Sequence, residues 1–247
     1  MTEASKTERK SVEPKEKLIV ALDVETATEA RNIVDEIGAE VGAFKIGLQL
    51  FTSAGASFVR ETAEKGFRVF LDVKFHDIPN TVARASVEVA RLGVWMFNVH
   101  ASGGGEMMQR TAEAVSEFCE KENLAKPKII AVTVLTSSDE ETLREIGVER
   151  AVGEQVVNLA RLAAKYGMDG VVASPQETPL IRREIEKTDF LIVTPGIRPE
   201  FATNDDQKRV MTPKQAVAGG ADFLVVGRPI LQAKDRLTAV KKVLGEM

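Results

Sequence analysis

At 247 residues the chain is long enough to bury a sizeable core and fits one large domain; α/β barrels typically need about 250 residues. Hydrophobic residues at 44% and charged ones at 28% are ordinary globular values, and a net charge of -4 suggests no nucleic-acid or acidic-membrane surface. One cysteine, Cys119, excludes an intrachain disulfide and a cysteine zinc cluster, and no apolar run reaches the length of a membrane-spanning helix.

Residues 1–17 are charged and lack the apolar centre of a secretory signal. A disordered tail is expected there, in a cytoplasmic protein whose folded domain spans 18–247. Residues 18–24 (LIVALDV) read as a buried first strand, because near-continuous apolar runs suit a parallel sheet covered on both faces. Thr26 or Thr28 can cap the helix that follows, which ends near Gly38. Strand two is 43–47 (AFKIG), with Lys45 inside it, and the helix over 52–65 stops at Gly66. Strand three, 68–75, alternates polar and apolar residues, and its helix reads 81–92 behind Pro79. Strand four is 95–100 (WMFNVH). Gly103, Gly104 and Gly105 then open a helix to about Asn123; they could cradle a phosphate, but a tight turn is the simpler reading.

Strand five is 128–135, followed by a polar turn at Thr136-Ser137-Ser138-Asp139 and helices over 140–146 and 149–166. Strand six is 169–173 with a helix over 176–187, and strand seven is 190–193. A long polar loop opens at Pro195 and runs through Gln207, of a length that suits a lid. A short helix over 212–219 precedes strand eight, 222–226, and Gly227-Arg228-Pro229-Ile230 leads into one last helix to Leu244. Strands alternating with helices imply βαβ crossovers and a parallel sheet. Eight similar β-α units, with no composition break, favour a closed (β/α)₈ barrel of one domain over an open doubly wound sheet.

In such a barrel the functional groups gather at the C-terminal ends of the strands. Asp23, Lys45, Asp72, Lys74, His100, Thr136, Arg198 and Arg228 all fall at such ends. Singly, each has a plain explanation: Lys45 could snorkel, Asp23 could cap a helix, and Asp72 with Lys74 could form a surface ion pair of little worth. Together, two lysines and two aspartates on three consecutive strands would converge, which solvation does not explain. Asp72 and Lys74, two apart on a strand, should share a face, with Asp77 following in the turn. Gly227 and Arg228 offer backbone N–H groups and a guanidinium to a phosphate.

The stretch Asp72-x-Lys74-x-x-Asp77-Ile78-Pro79 resembles the signature of the orotidine 5′-phosphate decarboxylases. Leu22-Asp23, Lys45, Val134-Leu135-Thr136-Ser137, Pro195-Gly196-Ile197-Arg198, Gln207 and Gly227-Arg228-Pro229-Ile230 match that family in order. The resemblance implies a barrel that converts orotidine monophosphate to UMP and CO₂ with no cofactor and no metal. It implies Lys74 as proton donor to C6, Asp72 near the substrate carboxylate, Lys45 holding Asp72 and touching the ribose, and Asp23 on a ribose hydroxyl. Arg228 and Gln207 would bind the phosphate, Arg198 would be a further ligand contact, and Thr136 and Ser137 would meet the pyrimidine edge. Asp77, with Thr81 beside it, would reach into the partner's site of a homodimer. A magnesium-dependent sugar-phosphate enzyme of the same superfamily would carry an acidic residue near the second strand end, where this chain has Lys45. A non-catalytic barrel that binds a phosphorylated ligand would have no need of Lys74. On residues alone, His100 reads as structural, His76 faces away from the work of Asp77, and Cys119 is a buried thiol.

Overall fold

The computed structural model describes residues 13–202 and 211–247. Eight parallel strands close into a barrel in chain order, so the open sheet is excluded and the fold is a (β/α)₈ barrel. Helix α1 (Pro14–Lys17) leads into β1 (Leu18–Ala21), and α2 (Ala27–Ile37) connects to β2 (Ala43–Gly47). The next units are α3 (Leu48–Glu64) with β3 (Val69–Phe75), α4 (Pro79–Arg91) with β4 (Met96–His100), and α5 (Gly105–Glu122) with β5 (Lys128–Val132). Two helices, α6 (Glu140–Glu145) and α7 (Val152–Lys165), precede β6 (Gly170–Val172). Then come α8 (Thr178–Glu184), β7 (Leu191–Thr194), α9 (Pro213–Ala218), β8 (Phe223–Val226), α10 (Arg228–Leu231) and α11 (Arg236–Gly245).

The helices show why these segments leave the sheet. In α2, Thr26 caps the N-terminus by accepting from the Glu29 N–H, and Ala30, Ile33, Val34 and Ile37 are buried. Those positions recur at helical spacing, so one stripe faces the strands. Two expectations change. The last helix is broken in two: Asp235 caps α11 by accepting from the N–H and hydroxyl of Thr238, and a side chain that bonds its own backbone this way ends one helix and starts another. The ordered chain begins before residue 18: Pro14–Lys17 is helical and the carbonyls of Lys15 and Glu16 press against Gly42, where a Cβ would stand within 2.7 Å of them, while residues 1–12 of the expected tail lie outside the described residues.

Alternation along each strand splits the core in two. One set of side chains, including Leu18, Val20, Phe44, Ile46, Leu71 and Phe97, packs outward against the helices. The other fills the barrel: Ile19, Ala21, Ala43, Phe70, Met96, Ile130, Val193 and Val225. Trp95 and Phe223 meet edge to face at 5.1 Å and join that inner cluster at the N-terminal end of the strands. The apolar filling stops one layer short of the other end. There the inner rows continue as Asp23 after Ala21, Lys45 after Ala43, Asp72 and Lys74 after Phe70, and Asn98 and His100 after Met96. The fold therefore sets a polar floor on an apolar plug.

Candidate active site

A cavity of about 240 Å³ opens above that floor. Asp23, Lys45, Asp72, Lys74, Thr136, Arg198, Gly227 and Arg228 line it. Phe70, Val132, Val134, Leu135, Val172 and Pro195 give it apolar walls.

The charged residues form one continuous row. Lys45 Nζ lies 3.0 Å from Asp23 Oδ1 and 3.2 Å from Asp72 Oδ2. Lys74 Nζ donates to Asp72 Oδ1 at 2.6 Å. Asp72 is thus bracketed by two ammonium groups, one on each oxygen. Burying one ion costs several kcal/mol, and one ion pair at best roughly cancels that. A second cation at contact distance contributes a further few kcal/mol at an effective dielectric near 20, so the carboxylate stays ionised. Burial pushes the Asp72 pKa up, but Lys45 and Lys74 outweigh it and hold the carboxyl below the usual range. Burial likewise opposes charge on Lys45, and Asp72 with Asp23 more than restores it, leaving its pKa above the ordinary value. Asp23 is not a helix cap, since Thr26 fills that place. Gly47 makes room for the row: a Cβ there would stand 2.9 Å from Lys45 Nζ.

Asp72 and Lys74 do not meet by plain strand alternation. The β3–β4 register pairs Leu71 with Phe97, then Phe75 with Val99, so β3 bulges between them. Inside the bulge Lys74 has φ +52, one of two non-glycine residues with positive φ among those described. Its N–H, displaced from the ladder, donates to Asn98 Oδ1 at 2.8 Å, and Asn98 Nδ2 donates to Asp72 Oδ1 at 2.7 Å. Sequence reasoning missed Asn98 altogether. The available signal was an asparagine in the middle of the apolar strand WMFNVH, a place that requires hydrogen-bond partners.

The other expected residues divide. Arg198 is 8% exposed, donates to the Ile197 carbonyl, and with Arg228 also lines an adjoining hollow of about 240 Å³ beside Phe201, Pro229 and Gln232. The two arginines therefore stand where the two spaces join. Ser137 is exposed and does not line the cavity. Asp139, the last residue of the polar turn that begins at Thr136, caps α6 by accepting from the Thr142 N–H. Asp77 and Thr81 are exposed, away from this chain's own cavity, and Asp77 accepts only from the neighbouring Ile78 N–H among the bonds resolved. Gln207 lies outside the described residues. His76 lies beside His100, ring centroids 5.5 Å apart and the rings tilted by 39°, and burial, His76 and Lys74 lower the His100 pKa. Gly104, φ +90, turns the chain into α5, and none of the three glycines there lines the cavity. Cys119 is buried, and burial raises its pKa, as an inert thiol requires.

Comparison with known proteins bears on this arrangement. The model of the orotidine 5′-phosphate decarboxylase / HUMPS family matches residues 16–243. The chain is 55% identical over 236 residues to the orotidine 5′-phosphate decarboxylase of Syntrophotalea carbinolica, covering 96% of both chains. It is 55% identical over 233 residues to that of Geobacter sulfurreducens, covering 94% of this chain and 96% of that one. The crystal structure of orotidine 5′-phosphate decarboxylase from Lactobacillus acidophilus is similar at a TM-score of 0.81 and 37% identity, covering 93% of this chain and 97% of that one.

Proposed function

The chain belongs to the orotidine 5′-phosphate decarboxylase / HUMPS family, and on that premise we propose that the Asp23–Lys45–Asp72–Lys74 row is its catalytic machinery. The activity is the decarboxylation of orotidine 5′-phosphate to UMP and CO₂, the last step of de novo pyrimidine nucleotide synthesis. Breaking the bond from C6 to the carboxylate leaves the electron pair on C6, where no ring position delocalises it. The Lys74 ammonium stabilises that pair as it forms and then delivers a proton to it. Asp72 sits near the substrate carboxylate and holds the Lys74 ammonium in place through their ion pair. Lys45 holds Asp72 and touches the ribose, and Asp23 takes a ribose hydroxyl. Because the charges are set before substrate arrives, little has to reorganise during reaction.

Arg228, Gly227, Arg198 and Gln207 take the phosphate end, and Thr136, on the cavity wall, the pyrimidine edge. Asp77 and Thr81 serve the site of a second copy of this chain. Their exposure supports this, as does Ile78 between them, a large apolar side chain left 66% exposed. The reading involves no cofactor, because the side chains supply both the charge and the proton. It also places the protein in the cytoplasm; among the described residues no helix is long and apolar enough to cross a membrane. A magnesium-dependent sugar-phosphate reaction is disfavoured by Lys45, whose ammonium fills the gap between Asp23 and Asp72 that a divalent ion would need.

The observation that carries the reading is the single carboxylate, Asp72, shared by two ammonium groups on the cavity floor. The purified protein should consume orotidine monophosphate in a UV assay and form UMP at the same rate with and without EDTA. Turnover that dies with chelator would move the assignment to the metal-dependent relatives.

A further inference from the structure

The mechanism above uses Asp72 and Lys74 and leaves Asn98 without a task. Asn98 is 0% exposed on the inner row of β4, and its register partner on β5 is the apolar Ile130. An amide buried so completely costs a few kcal/mol unless both ends are satisfied. Both are, and in only one orientation. The ionised Asp72 carboxylate can only accept, so it must face Nδ2; the Lys74 N–H can only donate, so it must face Oδ1. The two partners are the two charged residues of the β3 bulge.

We propose that Asn98 is a positioning residue for the decarboxylation, locking the β3 bulge in the conformation that aims the Lys74 ammonium and sets the Asp72 carboxylate. The β3–β4 ladder is interrupted between Leu71 and Phe75, so the Lys74 N–H lacks its strand partner, and the Asn98 carbonyl takes that place. Left-handed backbone at a lysine costs about 1–3 kcal/mol and persists only where the surroundings impose it. With the amide removed, the Lys74 peptide is free to return to ordinary extended geometry, and its ammonium moves off target. Displacement of a catalytic group by about 1 Å can cost about 10²-fold in rate. The inference rests on Lys74 being the proton donor.

The test uses Asn98→Ala and the isosteric Asn98→Asp in the full chain. In Asn98→Asp, a neutral carboxyl would copy the amide: its O–H donates to Asp72 and its C=O accepts from the Lys74 N–H. Ionised, the new carboxylate would lose the donor and repel Asp72. The charged and titratable groups around it would be Asp72 and Lys74 on β3, Lys45 on β2, and His100 two residues along its own strand with His76 beside it. Burial and the Asp72 charge favour the neutral form as pH falls.

Asn98→Ala should lower kcat about 10²-fold with KM and UMP binding nearly unchanged. The ratio of Asn98→Asp to wild-type kcat should rise about 10-fold or more between pH 8 and pH 5, whereas the Asn98→Ala ratio stays flat. If the alanine variant fails to fold, the Asn98→Asp ratio alone decides. Asn98→Ala at wild-type kcat, or an Asn98→Asp ratio independent of pH, would overturn the inference. Lys74→Ala run beside them separates the premises: full turnover there sinks the proton-donor reading, while an inactive Lys74→Ala with unaffected Asn98 variants sinks this inference alone.

Discussion

Asp72 is the residue on which the electrostatics of the site turn. It accepts from Lys45, Lys74 and Asn98, and its pKa is held below the ordinary carboxylate value near 3.9, despite burial, by the two lysines. A depressed native pKa means the unfolded chain binds the proton more tightly. The stabilisation is therefore present above about pH 4 and is lost as pH falls through the native value. Lys45 has the opposite sign: its pKa is raised, so its contribution is full below about pH 10 and is lost as pH rises through the native value. The row thus supports the fold throughout the neutral range. In urea unfolding, the stability gap between the wild type and Asp72→Asn should stay constant from pH 8 to about 5 and narrow below about pH 4. A gap unchanged down to about pH 2.5 would mean that Asp72 is not held in this charge pattern.

The eight β-α units owe their positions to strand-end clamps as well as to apolar packing. The Asp169 side chain, just before β6, accepts from the Ile129 N–H of β5, and Asp222, just before β8, accepts from the Ile192 N–H of β7. Arg182 on α8 pairs with Asp222 and donates to the carbonyls of Gly220 and Phe190, tying helix to strands at the end of the barrel opposite the cavity. Arg182→Ala would remove the cation beside a part-buried carboxylate that still accepts from the Ile192 N–H, and should cost about 2 kcal/mol, a Tm drop of about 4–8 °C, with kcat unchanged at 25 °C. A Tm within about 2 °C of wild type would show the clamp to be idle. Elements were legible in the sequence wherever one rule governed them. LIVALDV and AFKIG read as buried strands, Thr26 or Thr28 as a cap, and Asp72 with Lys74 as a charge cluster at a strand end; the first strand stops earlier, at Ala21, and the cap is Thr26. What escaped depended on two segments at once. The β3 bulge shows only in its register against β4, and Asn98 acts only through residues 26 and 24 positions away. The break before α11 was readable in principle, because Asp235 and Thr238 have capping spacing.

At the scale of the whole molecule, the closed barrel brings β1, β2 and β3 side by side, with Ala21 opposite Lys45 and Gly47 opposite Asp72. That adjacency turns Asp23, Lys45 and the Asp72–Lys74 pair, which lie on or just after three successive strands, into one row. The row ends at Lys74, and Asp77 faces outward, so the proposed full site takes two copies of the chain. Subunit mixing tests this. Lys74→Ala and Asp77→Ala homodimers should both be nearly inactive. A randomised equal mixture should recover roughly a quarter of wild-type activity, since half the dimers are hybrids with one intact site each. Hybrids that form and regain nothing would argue against a shared site.

The mechanism depends above all on protonation of C6 by the Lys74 ammonium. Its most direct test is kcat of Lys74→Ala on orotidine monophosphate, with UMP affinity measured in parallel. A loss of at least about 10³-fold in kcat is expected, with product binding largely kept. Turnover near the wild-type rate would contradict it.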